Sequence, residues 1–155
     1  MENEPLKEII KGFLGEYKNM TVATCVKDVP WAATLFFAYD EALNLYFVSD
    51  SRTRHAQDMA ANAKAAVVIN PNNQEHGKIR GLQMEGTAKM LHGADMISAF
   101  AIYMKRHPVI KNLVSSAEKL ISGNVRIYQI QPTRIYFIDE ARFGKGGRQE
   151  ITLNG

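Results

Sequence analysis

The densest chemistry in the chain lies in eight consecutive residues, Val48-Ser49-Asp50-Ser51-Arg52-Thr53-Arg54-His55. An extended run ends there and a helical run begins. Such a junction offers free backbone N–H groups at the positive end of a helix dipole. Here it adds hydroxyls from Ser49, Ser51 and Thr53 and guanidinium groups from Arg52 and Arg54. Amides, hydroxyls and guanidinium charge together suit a single phosphate group. The same residues also suit a simpler arrangement, an N-capped helix with both arginines in water. The residues alone leave both readings open.

Other reactive residue types point elsewhere. Cys25, the single cysteine, sits in a Thr/Val/Ala run without a neighbouring histidine and is expected to be a buried core thiol rather than a nucleophile. His55, His76, His92 and His107 have no short metal-ligand spacing, so no metal centre is expected. Gly144-Lys145-Gly146-Gly147-Arg148 is basic and glycine-rich but lacks P-loop spacing and a following helix. It reads either as a mobile tail or as a flap over a partner's ligand. Trp31 fits core, interface or stacking surface equally well.

The elements that must position the junction follow from periodicity. Leu6, Ile9, Ile10, Phe13, Leu14 and Tyr17 recur at helical spacing behind Pro5. Three β-like runs follow, 20–27, 32–39 and 43–48, joined by short polar links at 28–30 and 40–42. Links this short imply antiparallel hairpins. A helix is expected over 53–63, capped by Thr53 or Ser51. Strands are expected over 65–70 and 78–91, the second bent at Gly81 or Gly86. Residues 94–119 read as two helices meeting at His107-Pro108. Residues 125–138 read as a strand pair or one long bent strand broken at Pro132, and the chain from Glu140 as polar tail. About six antiparallel strands with one helix after the third do not make a βαβ pattern. The fold class expected is mainly β (α+β), a six-stranded antiparallel split β-barrel with flanking helices, because closure leaves few exposed edges.

Composition sets the outer bounds. With 155 residues, 46% hydrophobic and 23% charged, the chain suits one domain with one principal core. A net charge of +3, without a basic stripe, argues against a nucleic-acid partner. No apolar stretch approaches the ~20 residues of a membrane span. The acidic start Met-Glu-Asn-Glu-Pro lacks signal-peptide character. A soluble cytoplasmic protein is expected.

Three separated motifs carry a family resemblance. Thr53-Arg54-His55-Ala56-Gln57, continuing through Asn62, resembles the Ser-Arg-Lys segment and following helix of the pyridoxamine 5'-phosphate oxidase superfamily of FMN-binding split barrels. Arg80-Gly81-Leu82-Gln83-Met84-Glu85-Gly86 resembles that family's Arg-Gln-Val-Arg-Val-Glu-Gly strand. Together with Phe143-Gly144-Lys145, the segments Thr53–Gln57 and Ile79–Gln83 resemble most closely a small bacterial branch of the superfamily. The likeness runs from about Thr21 to Lys145.

The resemblance implies an FMN cofactor held between the subunits of a homodimer. The phosphate would fall to Thr53, Arg54 and His55, with Ser49 and Ser51 as neighbouring hydroxyls; His55 replaces the family's lysine. Gln83 would reach the flavin in place of the glutamine missing at Gly81. The strand Ala32–Phe37 would lie along the flavin ring, with Thr34 as its side-chain hydrogen-bonder. Oxidoreductase activity toward a small-molecule substrate or electron acceptor is implied. The superfamily also contains binders of haem or a deazaflavin, so a non-enzymatic flavin or haem carrier is the alternative, with His55, His92 or His107 as axial ligand. Vitamin B6 oxidation is a weaker third reading. Ala32 and Phe37 replace that enzyme's arginine and lysine, and its C-terminal Trp-Arg-Gly-x-Arg-Leu motif is absent.

Overall fold

The computed structural model describes residues 4–112 and 116–153. A helix α1 (Glu4–Glu16) precedes the hairpin β1 (Asn19–Val26) and β2 (Val29–Phe36), then β3 (Ala38–Tyr39) and β4 (Leu45–Asp50). Helix α2 (Arg54–Ala61) leads into β5 (Lys64–Ile69) and β6 (Arg80–Met90). Helix α3 (Gly93–Arg106), a 3-10 turn (Pro108–Asn112) and helix α4 (Ala117–Ser122) follow. The chain closes with β7 (Val125–Asp139), α5 (Glu140–Phe143) and β8 (Arg148–Thr152).

The strands form one antiparallel sheet in the order β2-β1-β5-β6-β7-β4-β3, with β8 also on β7. Its two ends, β2 and β3, are consecutive in the chain with only Phe37 between them. The sheet therefore curls into a split barrel. It has eight strands rather than the expected six. One addition is the two-residue β3. The other is β8, in the stretch expected to be tail, where Ile151 is buried opposite Ile135 on β7 while Arg148, Glu150 and Thr152 face water.

Local chemistry sets each turn near the site. Lys27 and Asp28 both adopt positive φ, 51° and 62°, as a two-residue hairpin turn of the primed type requires. Val29 and Pro30, expected in the connection, therefore belong to β2; an edge position leaves Pro30 without a missing ladder bond. Gly86 makes the bend in β6. The register slips between Glu85 and Gly86, and Gly86 lies opposite Pro132. A Cβ on Gly86 would stand 2.7 Å from the Gln131 carbonyl oxygen and 2.8 Å from Ile130 Cγ2. Proline needs no donor at such a bulge, so β7 runs unbroken through Pro132 as one 15-residue strand. Past α3 the expected second helix is absent as such: a 3-10 turn and the short α4 replace it, and residues 113–115 of that expectation lie outside the described residues.

The barrel interior is apolar. Ile10, Phe13 and Leu14 of α1 are fully buried against it, with the Phe13 and Phe137 rings 5.2 Å apart. Arg80 clamps α1 to the sheet by pairing with Glu16 at 2.6 Å and Asp139 at 3.3 Å. A smaller cluster under α3 gathers Tyr46, Leu91, Phe100, Tyr103 and Ile127. Gly86→Ala is expected to destabilise the fold by about 2–3 kcal/mol, since the new methyl meets backbone that cannot swing away; urea denaturation measures it.

Candidate functional site

The corner begins with Ser49, the last inward-facing residue of β4. Its backbone lies opposite Arg126 on β7, and Asp50 lies opposite Val125, where the pairing ends. After one last cross-strand bond, from the Ser51 amide to the Asn124 carbonyl at 2.9 Å, the chain turns through Arg52. Thr53 then caps α2 with extended dihedrals, φ −65° and ψ 154°; its hydroxyl donates to the Asp50 carbonyl at 2.8 Å and accepts from the Ala56 amide. The N–H groups of Arg54 and His55, first in the helix, have no acceptor among the described residues. They remain open to an anion.

His55 is buried beneath this turn. Its Nε2 lies 2.7 Å from Ser49 Oγ and 3.1 Å from Thr53 Oγ1, with the Phe47 ring alongside. Burial pushes its pKa below the ordinary histidine value, partly countered by Asp58. The imidazole is therefore a neutral brace at pH 7, knitting Ser49 to Thr53, and not the second cation of the corner.

The two arginines separate in role. Arg52 folds back on Asp50, with Nη2 at 2.7 Å and Nε at 3.0 Å from its carboxylate, and holds that carboxyl down at about 2. The expected convergence of both guanidinium groups is thus corrected: Arg52 is committed to its own chain. Arg54 supplies the available charge. Its side chain is 47% exposed, Nε stands 4.0 Å from Asp58, and the guanidinium lies 4.2 Å from the Trp31 ring centre. Ser51 is half-buried at the turn, and its hydroxyl has no hydrogen bond among the described residues.

Ser49, Ser51, Thr53, Arg54 and His55 are thereby brought together. Thr34 and Gln83 are not part of this cluster. In register, Thr34 faces Thr21, Thr21 faces Val68 and Val68 faces Gln83. Both lie on the sheet's outer surface, roughly 14 Å apart across three strand spacings. Ser49 points into the barrel, on the other side of the sheet. Cys25 shares the outer surface and is exposed, which corrects the expected core thiol. The alternation carried the signal: Met20, Val22 and Thr24 point inward, so Cys25 points out. Thr24 and Asp58 are neighbours of the corner that residue types alone did not single out, and Trp31, left open between core, interface and stacking surface, lies beside Arg54.

The donor set fits a phosphomonoester such as that of FMN. Two open amides, the unbonded Ser51 hydroxyl and one half-exposed guanidinium gather at a helix start, while the Thr53 and Ser49 hydroxyls are already engaged with the Asp50 carbonyl and His55. Among the described residues no three His, Cys, Asp or Glu side chains converge to hold a metal ion. Nor is any described helix long and apolar enough to cross a membrane.

Barrel, corner and motifs together define a member of the pyridoxamine 5'-phosphate oxidase family, and the chain belongs to it: the family's sequence model matches residues 6–139. Among individual proteins it is similar to UPF0306 protein YhbP of Salmonella paratyphi A, 31% identical over 117 residues, 74% of this chain and 73% of that one. The fold is also that of a haem-binding protein from Mycobacterium smegmatis, with TM-score 0.75 and 14% identity over 94% of this chain but only 57% of the other. A protein from Listeria innocua described as a putative pyridoxamine 5'-phosphate oxidase aligns with TM-score 0.64 and 17% identity, over 86% of this chain and 98% of that one.

Because His55 is held below its unfolded pKa, the unfolded chain binds its proton first as pH falls. Stability is therefore expected to decline below about pH 6.5. His107, lowered by burial in spite of its bond to the Phe37 carbonyl, adds to the same trend. His55→Gln should flatten the decline between pH 7 and 5 in thermal melts while leaving the His107 share in place.

Proposed function

We propose that the chain is an FMN-binding flavoprotein that works as an oxidoreductase, passing hydride or electrons to a small acceptor. The observation that carries this is the corner itself. Arg54, the open amides of Arg54 and His55 and the Ser51 hydroxyl would receive the phosphate at the start of α2, with Ser49, Thr53 and His55 bracing the turn beneath them, as the resemblance to the flavin-binding split barrels implies. When bound, the flavin supplies the redox chemistry. The chain's own groups bind and orient: Arg54 neutralises phosphate charge, and His55 keeps the hydroxyls in place. Thr34 and Gln83, on the outer surface of the sheet, would meet the ring or its ribityl chain.

A homodimer accompanies this reading. β2 ends the sheet with a free edge, and Val29, Trp31 and Phe36 on it are 52%, 42% and 57% exposed. An apolar edge strand of this kind is ordinarily covered. The adjoining outer face carries a shallow groove of about 650 Å³ floored by Ala23, Cys25, Ala66 and Gly86. A second copy laid over β2 and this face would bring Thr34 and Gln83 toward a flavin shared between subunits. Sedimentation should give a dimer.

A carrier of haem or flavin without turnover is the second reading, and the haem-binding fold neighbour favours it. The chain's histidines favour it less. Nε2 of His55 is taken by Ser49 and Nε2 of His107 by the Phe37 carbonyl at 2.7 Å, while His92 is exposed ahead of α3. Vitamin B6 oxidation finds less support still, because Phe37, at the place of that enzyme's lysine, is wholly buried in the core.

The visible spectrum of the purified protein separates these readings: flavin bands support the first, a Soret band the second. Arg54→Ala is expected to weaken FMN binding by about 1.5–3 kcal/mol, roughly 10- to 150-fold, read by quenching of flavin fluorescence. An unchanged affinity would remove Arg54 from the site. NADH or NADPH consumption with a panel of acceptors tests turnover.

A further inference from the structure

Four side chains beside the corner close a circuit. Thr24 on β1 and Trp31 on β2 lie directly opposite each other in the hairpin register. Asp58 and Arg54 are one turn apart on α2. Thr24 Oγ1 donates to Asp58 Oδ2 at 2.8 Å; Asp58 Oδ2 faces Arg54 Nε at 4.0 Å; and the Arg54 guanidinium lies 4.2 Å from the Trp31 ring centre. Thr24 is buried, so the hydroxyl that anchors the carboxylate sits on the rigid part of the sheet. Nη1 and Nη2 of Arg54 have no partner among the described residues.

This arrangement restricts a side chain that would otherwise sample many rotamers. An unrestrained arginine gives up rotamer freedom when it is fixed on a ligand. Here the indole face and the Asp58 carboxylate impose much of that order beforehand, and the anion meets a guanidinium already in place. The indole is also the natural platform for this, since a cation over an indole face is favoured over other aromatic rings.

We propose that Trp31 is a positioning residue for phosphate capture, acting through Arg54 and not on the flavin ring. Thr24 and Asp58 complete the clamp. The inference rests on the flavin reading above and adds to it: the hairpin that would carry the ring along β2 also aims the charge that would hold the phosphate, so the two ends of the nucleotide would be recognised by one rigid unit.

The experiment compares FMN and riboflavin, which differ by the phosphate alone, in titrations of the full chain followed by flavin fluorescence. Trp31→Ala should weaken FMN binding about three- to fivefold and leave riboflavin unaffected. Trp31→Phe should recover most of the loss, and in an Arg54→Ala background Trp31→Ala should cost nothing further. An equal loss for riboflavin, or losses that simply add in the double variant, would overturn the proposal by showing that Trp31 meets the ring or acts independently. The clamp also has a readout that needs no ligand. Trp31 is the only tryptophan, and its emission should become more quenchable by acrylamide in Arg54→Ala. Unaltered quenching would overturn the clamp whether or not FMN binds, whereas a wild-type chain that takes up no FMN but shows the quenching change would refute the flavin reading alone.

Discussion

The pairing of β7 along both its edges is the constraint on which the rest depends. Its 15 residues hold β6 on one side over almost the whole length, and β4 and then β8 on the other. A strand buried from both flanks cannot slip without turning its inward residues to water. Ile127, Ile130, Ile135 and Phe137 fix the register by their burial. The register in turn decides where β4 must end, opposite Val125, and so where the chain is released to turn and start α2. The corner's position is inherited from the sheet; only its chemistry is local.

That local chemistry depends on a division of labour among similar side chains. Of two arginines, one is spent on Asp50 and one is left available. Of the two buried imidazoles, His55 braces the corner and His107 bonds the Phe37 carbonyl, and burial holds both pKa values down, so neither adds charge there. Positive potential at the start of α2 thus comes from one guanidinium and the helix amides, a modest field suited to a dianion of limited size rather than to a polyanion.

Much of this was legible in the sequence because the period of the apolar residues matched the element they formed. Ile10, Phe13 and Leu14 marked α1, alternation marked β1, and Thr53 marked the start of α2 as a cap must. The failures have physical causes. β8 offers a single inward apolar residue, Ile151, which is too little pattern for a strand. Pro132 looked like an interruption until it was placed across from the Gly86 bulge, where no donor is required. Arg52 looked available because its partner, Asp50, is two residues away and the turn that joins them is a three-dimensional fact. Thr24, Trp31 and Asp58 belong to three different elements, and nothing in their spacing could reveal that they meet.

The β1–β2 hairpin has one more property. Cys25 and Trp31 stand on it one register step apart, yet strand alternation sends the thiol to the outer surface and the indole to the opposite face, against Arg54. Each is unique in the chain. Two unique labels therefore sit back to back on one hairpin, the thiol reporting what covers the outer surface and the indole reporting its contact with Arg54, both in the unaltered protein.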